Sequence, residues 1–254
     1  MSAVRIALAN QKGGVGKTTS SIELAACFSQ KKYKVLVVDL EQQMDTTKYS
    51  GGNYHLPGIY EALSGTISPK DAIQKLPEFD ILSASPKLSK ADDEFSKPTD
   101  VLKLKKVLNS VDDDYDFIFI DTNPGRNRLL NMAYIASDYL IIPTDVDDGS
   151  VDGIRSVFTD LEEYKEAEWS NAEVLGVIFT RVENTGMHRY QEEQIQEILN
   201  EKAPDAFLMK VRKGIAATEC KSEGTSMQVG KPTSNPASDY RKIANKILDL
   251  LTKE

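Results

Sequence analysis

The stretch Asn10-Gln11-Lys12-Gly13-Gly14-Val15-Gly16-Lys17-Thr18-Thr19 constrains this chain more than any other. An apolar run, Val4 to Ala9, leads into it, and a helical pattern starting near Thr18 leads out. A strand, a Gly-rich loop and a helix in that order can gather phosphate. Three glycines without Cβ let the backbone fold tightly enough for successive N–H groups to converge on one point. The helix that follows aims its positive dipole end at the same point. Lys17 then supplies a charge for β- and γ-phosphates, and the Thr18 hydroxyl a ligand for Mg²⁺. A plain Gly-rich turn would not call for two lysines and two threonines at this spacing.

The common phosphate-loop spacing, G-x-x-x-x-G-K-[ST], fails here, because its first Gly would fall at position 11, where Gln11 stands. A second lysine, Lys12, opens the loop instead. From the mouth of the loop it need not serve its own nucleotide. It can point outward, toward a nucleotide held by another copy of the chain.

Downstream, Val35 to Val38, Phe117 to Ile120, Tyr139 to Pro143, Val174 to Phe179 and Phe207 to Val211 are continuous apolar runs. Such runs suit strands buried on both faces of a parallel sheet. Phe79 to Leu82 reads as a shorter strand. Helical patterns cover Ser20 to Lys31, Asp100 to Val111, Ser150 to Glu166, Tyr190 to Leu199 and Asp239 to Leu251. Ile59 to Leu63 and Pro69 to Leu76 read as short helices. Strands alternating with helices predict an α/β fold, a doubly wound, mostly parallel sheet with helices on both faces. At 254 residues the whole chain, 1–254, is expected to be one domain. Ligand sites in open α/β sheets lie at the carboxyl ends of strands, which puts Asp39 at the phosphates.

No apolar stretch approaches the ~20 residues that span a bilayer, and the N-terminus has no signal-peptide pattern. Cys27 and Cys220 lie far apart without metal spacing, so free thiols in a reducing cytoplasm are expected. The net charge of −8 speaks against wholesale binding to nucleic acid. Charge is uneven, however. Lys210, Arg212, Lys213, Lys221, Lys231, Arg241, Lys242 and Lys246 face three acids between positions 210 and 246, so that segment nets +5 and the remainder −13. A local basic patch on an acidic protein can hold a polyanion while the rest resists non-specific collapse.

Asn10 to Thr19 resembles the deviant Walker A loop of the ParA/MinD ATPases, a branch of the P-loop NTPases, and is most similar to ParA-type DNA-partition ATPases. Three further stretches match in order. Asp39 to Thr47 is similar to the family's Asp-x-Asp-Pro-Gln motif, with Glu41 for the second Asp and Gln42 for the Pro. The family's second acid orients or activates the attacking water, and Glu41 has the same carboxylate on a stem one methylene longer. Phe117 to Asp121 resembles a Walker B strand, with Asn123 where a Pro is usual. The resemblance implies that Asp121 binds Mg²⁺ through water or holds the Thr18 hydroxyl. The third stretch, Arg212 to Tyr240, follows the family's C-terminal pattern, but Asn235 replaces an arginine that many relatives carry.

The resemblance further implies ATP and Mg²⁺ bound by Gly13, Gly14, Val15, Gly16, Lys17, Thr18 and Thr19, with Arg181 and Arg212 near the base. Lys12, Lys17 and Glu41 would carry catalysis. Lys12 would reach the partner's phosphates in an ATP-bound homodimer. That dimer would hold double-stranded DNA non-specifically through Lys210, Lys213, Lys221, Lys231, Arg241, Lys242 and Lys246, and answer to a ParB-like centromere-binding protein. The expected location is cytoplasmic, on the nucleoid when ATP is bound. The first strand begins at Val4 with no helix-turn-helix ahead of it, so operator-specific binding is not expected. A MinD-like regulator of membrane or a protein complex is the main rival. Another is a nucleotide-binding module whose hydrolysis is impaired by Glu41 and Gln42. The last helix has no Trp or Phe on its apolar face, so stable membrane association is not expected.

Overall fold

The structure is a computed structural model that describes residues 2–146 and 149–251. In chain order the elements are β1 (Val4–Leu8), α1 (Lys17–Gln30), β2 (Val35–Asp39), α2 (Asp45–Tyr49), α3 (Ile59–Ser64), α4 (Pro69–Ala72), β3 (Ile73–Lys75) and β4 (Asp80–Leu82). Next come α5 (Ala91–Glu94), α6 (Lys103–Asn109), β5 (Phe117–Asp121), α7 (Arg128–Ala136), β6 (Tyr139–Thr144), α8 (Ser150–Glu166), β7 (Glu173–Val182) and α9 (Gly186–Lys202). The chain closes with β8 (Phe207–Arg212), α10 (Ala216–Glu223), α11 (Met227–Gly230) and α12 (Asn235–Leu251).

The strands form one sheet in the order β3-β4-β2-β5-β1-β6-β7-β8, parallel throughout except for β3 at the edge. The doubly wound, mostly parallel architecture expected from the sequence is therefore present. Apolar residues alternate between its faces with the two-residue period of a strand. In β1, Ile6 and Leu8 join the core under α1 and α12, while Ala7 faces the core under α7 and α8. β5 does the same, with Phe117 and Phe119 on the first face and Ile118 and Ile120 on the second. Phe28 of α1 meets Phe117 edge-on, with ring centroids 4.5 Å apart, which fixes that helix against the centre of the sheet.

One expected element is different. Pro69 to Leu76 reads as a helix, but the helix stops at Ala72, and Ile73–Lys75 pairs antiparallel with β4. The Gln74 amide donates to Asn53 O and to Ser83 Oγ, both at distances under 3 Å, so tertiary pairing overrides a weak local helical pattern. Helices α2, α7, α10 and α11 have no counterpart among the expected elements, and α2, α10 and α11 contribute to the cavity described below. Helix α7 is started by Asn127, whose side chain accepts from Leu130 N at 2.9 Å.

The strand order turns over at β1: the chain winds outward through β2 on one side and through β6 on the other. A crevice opens at the carboxyl ends of strands where the winding reverses. The loop after β1 occupies it.

Candidate functional site

The loop is built from beneath. Asn10 is fully buried, donates to Pro143 O at 2.9 Å and accepts from Lys12 N at 2.9 Å. Gly16 has φ of +96°, a left-handed value that side chains resist, and ends the loop as the cap of α1. A Cβ there would also lie 3.2 Å from Thr180 Cγ2, and Thr180 is pinned by its own hydrogen bonds to Val15 O and Thr144 O. Val15 turns its side chain inward and is wholly buried, so only its backbone can serve a ligand. Gly13, Gly14, Lys17, Thr18 and Thr19 line a cavity of about 350 Å³ at the start of α1. Glu41 and Arg181 line it too.

Lys17 lies along the loop, its ammonium donating to Asn10 O at 2.8 Å and Lys12 O at 2.7 Å. Burial lowers its pKa, while Asp121 and Glu41 pull it back up. Helix-end amides, left-handed glycines and this lysine together fit a nucleotide phosphate chain. The fit for Mg²⁺ is equally specific. Asp121 is wholly buried at the end of β5 and accepts from Thr18 Oγ1 at 2.8 Å. Burial pushes its pKa up, and its hydroxyl partners and Lys17 oppose the shift.

Strand register sets Asp39 beside Asp121, yet their surroundings differ. Asp39 is sealed from the cavity and accepts from Glu41 N at 3.0 Å, Thr47 N at 2.8 Å and Thr47 Oγ1 at 2.7 Å. Burial, with Asp121 adjacent, pushes its pKa up to about 7. The expectation that Asp39 meets the phosphates is thus corrected: all its donors are backbone or Thr47, and it shapes the turn that presents Glu41. Glu41 itself is 9% exposed, accepts from Gln43 N at 3.2 Å, and feels Lys17 and Asp121.

Lys12 does not turn into its own cradle. Its Nζ lies 3.6 Å from Asp145 Oδ1, and the same carboxylate pairs with Arg181. Arg212 reaches the cavity wall but its guanidinium is held bidentate by Asp239, at 2.8 and 2.7 Å. The wall opposite the loop is made by the turn after β8 with α10 and α12, including Gly214, Ala217, Pro236 and Tyr240.

The basic residues grouped by the sequence are dispersed. Lys210 pairs with Glu192 at 2.9 Å, Lys213 with Glu183 at 3.2 Å and Lys231 with Glu219 at 3.1 Å. Lys242 lies 3.9 Å from Asp239, and Arg241 donates to Gln228 Oε1 at 2.9 Å. Lys246 is half-buried on α12. Lys210, Arg212 and Lys213 do share a groove with His188 and Arg189. Lys221 belongs instead to the nucleotide cavity. The apolar face of α12 is taken up by the core, where Tyr240, Ile243, Ala244 and Ile247 are buried. No helix among the described residues is long and apolar enough to cross a membrane.

Several residues of the site escape sequence reasoning. Thr46 donates to Asp121 Oδ2 at 2.5 Å, and the buried Asp160 accepts from Gln11 Nε2 at 2.8 Å while pairing with Arg126. Only a hydroxyl next to an acidic motif could have flagged Thr46. Nothing in the sequence marks Asp160.

A parallel sheet with a phosphate loop at its winding reversal, a lysine in the loop and a buried aspartate on the adjacent strand defines a Mg²⁺-dependent P-loop nucleotide hydrolase. Comparison with known proteins narrows this. Residues 3–174 match a family model described as an AAA domain. The chain is 31% identical over 251 residues to the chromosome-partitioning ATPase Soj of Thermus thermophilus, covering 96% of this chain and 95% of that protein. It is 26% identical to the sporulation initiation inhibitor protein Soj of Bacillus subtilis, covering 95% and 97%. Among solved structures, a Borrelia burgdorferi plasmid partition protein bound to AMPPNP superposes with a TM-score of 0.80 at 25% identity, covering 99% of each chain. Apo McdA from Cyanothece superposes with a TM-score of 0.85 at 21% identity, over 96% of this chain and 99% of that one, a likeness of fold. The chain belongs to the ParA-type partition ATPases, and it is an ATP hydrolase that uses ATP and Mg²⁺.

Proposed function

We propose that this ATPase is a dimerising switch for DNA partition, holding duplex DNA without sequence preference in its ATP state and releasing it after hydrolysis. The observation that carries this reading is Lys12. It stands at the mouth of the loop, tied to Asp145 rather than folded over its own cradle as Lys17 is. A cation so placed can cross to the phosphates of a second subunit. Cations supplied across an interface to phosphoryl transfer contribute as much as ~10³–10⁵ in rate in other NTPases.

Thr18 and Asp121 would hold Mg²⁺, which neutralises charge on the phosphates when bound. Lys17 orients the phosphate chain, and Glu41, which lines the same cavity, orients the attacking water. Closure of two subunits sets two weakly basic faces side by side. One such face binds DNA with a Kd of about 10⁻⁴–10⁻⁶ M, and linkage raises the apparent affinity by effective concentration. The groove of Lys210, Arg212 and Lys213 is the candidate contact. Its lysines are ion-paired with Glu183 and Glu192, so phosphates must displace those carboxylates. Weak, salt-sensitive retention follows. A ParB-like partner would accelerate hydrolysis and so end retention.

Co-sedimentation with unrelated duplex DNA, in ATP, ADP or no nucleotide and over a range of salt, tests the reading. Retention in ATP alone, falling steeply with salt, is expected. Retention indifferent to nucleotide overturns it.

A further inference from the structure

We propose that Lys221 is a nucleotide-binding residue, a cation reaching in cis from α10 to the phosphate nearest the nucleoside. Lys221 lines the same cavity as Gly13, Thr18 and Thr19. It also borders a small recess with Thr19, Ile22 and Tyr49, which fixes its position at the Thr19 end of the loop, away from Lys12. Its ammonium lies 4.9 Å from the centroid of the Tyr49 ring, at the junction where α10 packs on α2. A cation over an aromatic face is oriented but keeps donors for a further acceptor.

Burial lowers the Lys221 pKa, Asp45, Asp121 and Glu23 raise it, and Arg181 lowers it again. A phosphate entering this spot would supply Lys221 with a counter-charge, while Arg181 on the same cavity already pairs with Asp145. The position of the cavity walls says which phosphate. Lys17 occupies the side of the loop used by the terminal phosphates, whereas α10 belongs to the wall with Gly214, Ala217 and Pro236, against which the nucleoside must lie. Lys221 stands between Thr19 and that wall. The phosphate it meets is common to ATP and ADP. The lysine thus leaves the DNA-facing set to which its charge alone assigns it.

The test uses Lys221→Met and Lys221→Arg in the full chain, with fluorescent ATP and ADP analogues titrated with Mg²⁺ and again in EDTA. Lys221→Met should weaken both nucleotides alike, by about tenfold, the scale of one hydrogen bond to a charged group, with the loss persisting in EDTA. Lys221→Arg should recover most of it. Melting of the nucleotide-free variants checks the fold, and Lys221→Gln stands in if the Met variant is destabilised. Unchanged nucleotide affinities, or a loss confined to ATP, overturn the proposal. So does a variant that binds both nucleotides normally but loses DNA. Because ADP binding needs no dimer and no DNA, the switch reading can fail while this one stands.

Discussion

Thr46 is where an isosteric change should tell most about the site. Its hydroxyl donates to Asp121 Oδ2 at 2.5 Å, both residues are wholly buried, and Thr18 Oγ1 at 2.8 Å and Ser21 Oγ at 3.3 Å complete the set. Thr46→Val keeps the shape and removes one donor from a desolvated carboxylate. A hydrogen bond to a charged group contributes about 1.5–3 kcal/mol, so a loss of roughly 2 kcal/mol near neutral pH is expected. For a chain of this length that corresponds to a melting shift of about 4–8 °C. The pH dependence has a definite sign. Burial already holds the Asp121 carboxyl above the ordinary range, and the Thr46 hydroxyl opposes that shift. An acid whose folded pKa exceeds its unfolded one costs nothing while protonated and progressively more as pH rises through the interval. Removing Thr46 widens the interval, so the penalty grows with pH and shrinks in acid. Denaturant unfolding of the nucleotide-free protein at pH 5 and pH 7.5 measures it, with Thr46→Ser as the hydroxyl-retaining control. A penalty that grows toward acid, or Thr46→Ser as damaged as Thr46→Val, would refute the electrostatic reasoning.

Glu41→Gln should bind ATP but turn over about 100-fold more slowly or worse, since a positioned base contributes ~10²–10⁴; phosphate release with and without partner measures it, and unchanged turnover removes Glu41 from the chemistry. Glu23, buried in α1 and accepting from Met227 N at 2.7 Å and Gln228 Nε2 at 2.9 Å, has its pKa pushed up by burial to about 7. Its raised pKa means stability is full below the unfolded value and falls as pH rises toward 7, by up to about 3 kcal/mol. Glu23→Gln should flatten the stability profile across that window, and a profile of unaltered slope counts against the assignment.

The fold was legible because parallel strands buried on both faces leave unbroken apolar runs. Val35 to Val38 and Phe117 to Ile120 could hardly be anything else. The edge was not: Ile73–Lys75 has three residues, and its pairing is decided by β4 rather than by its own pattern. The phosphate loop was equally plain, since recognition by backbone amides demands glycines at fixed spacing. Asp39 shows the limit of that logic. Two acids end neighbouring strands in register, and only their donors tell them apart: Thr18 ties Asp121 to the cavity, while Thr47 turns Asp39 away from it.

The wall facing the loop was illegible for a deeper reason. It is held by pairs between 148 and 220 residues apart in sequence, and such pairs leave no local pattern. Ser20 Oγ meets Tyr240 OH at 2.9 Å, and the Glu23 carboxylate holds Met227 and Gln228. Glu78 adds Ser226 N at 2.9 Å. Ser20 and Glu23 both lie on α1, the helix whose first turn completes the phosphate cradle. Cradle and wall are therefore both tied to one helix. The turn from Glu41 to Thr47 borders the same cavity. That turn is anchored through Thr46 and Thr47 to the two strand-end aspartates, one of which is also the candidate holder of Mg²⁺. Asp121 and Glu41, the residue proposed to aim the water, are thus joined through one short turn.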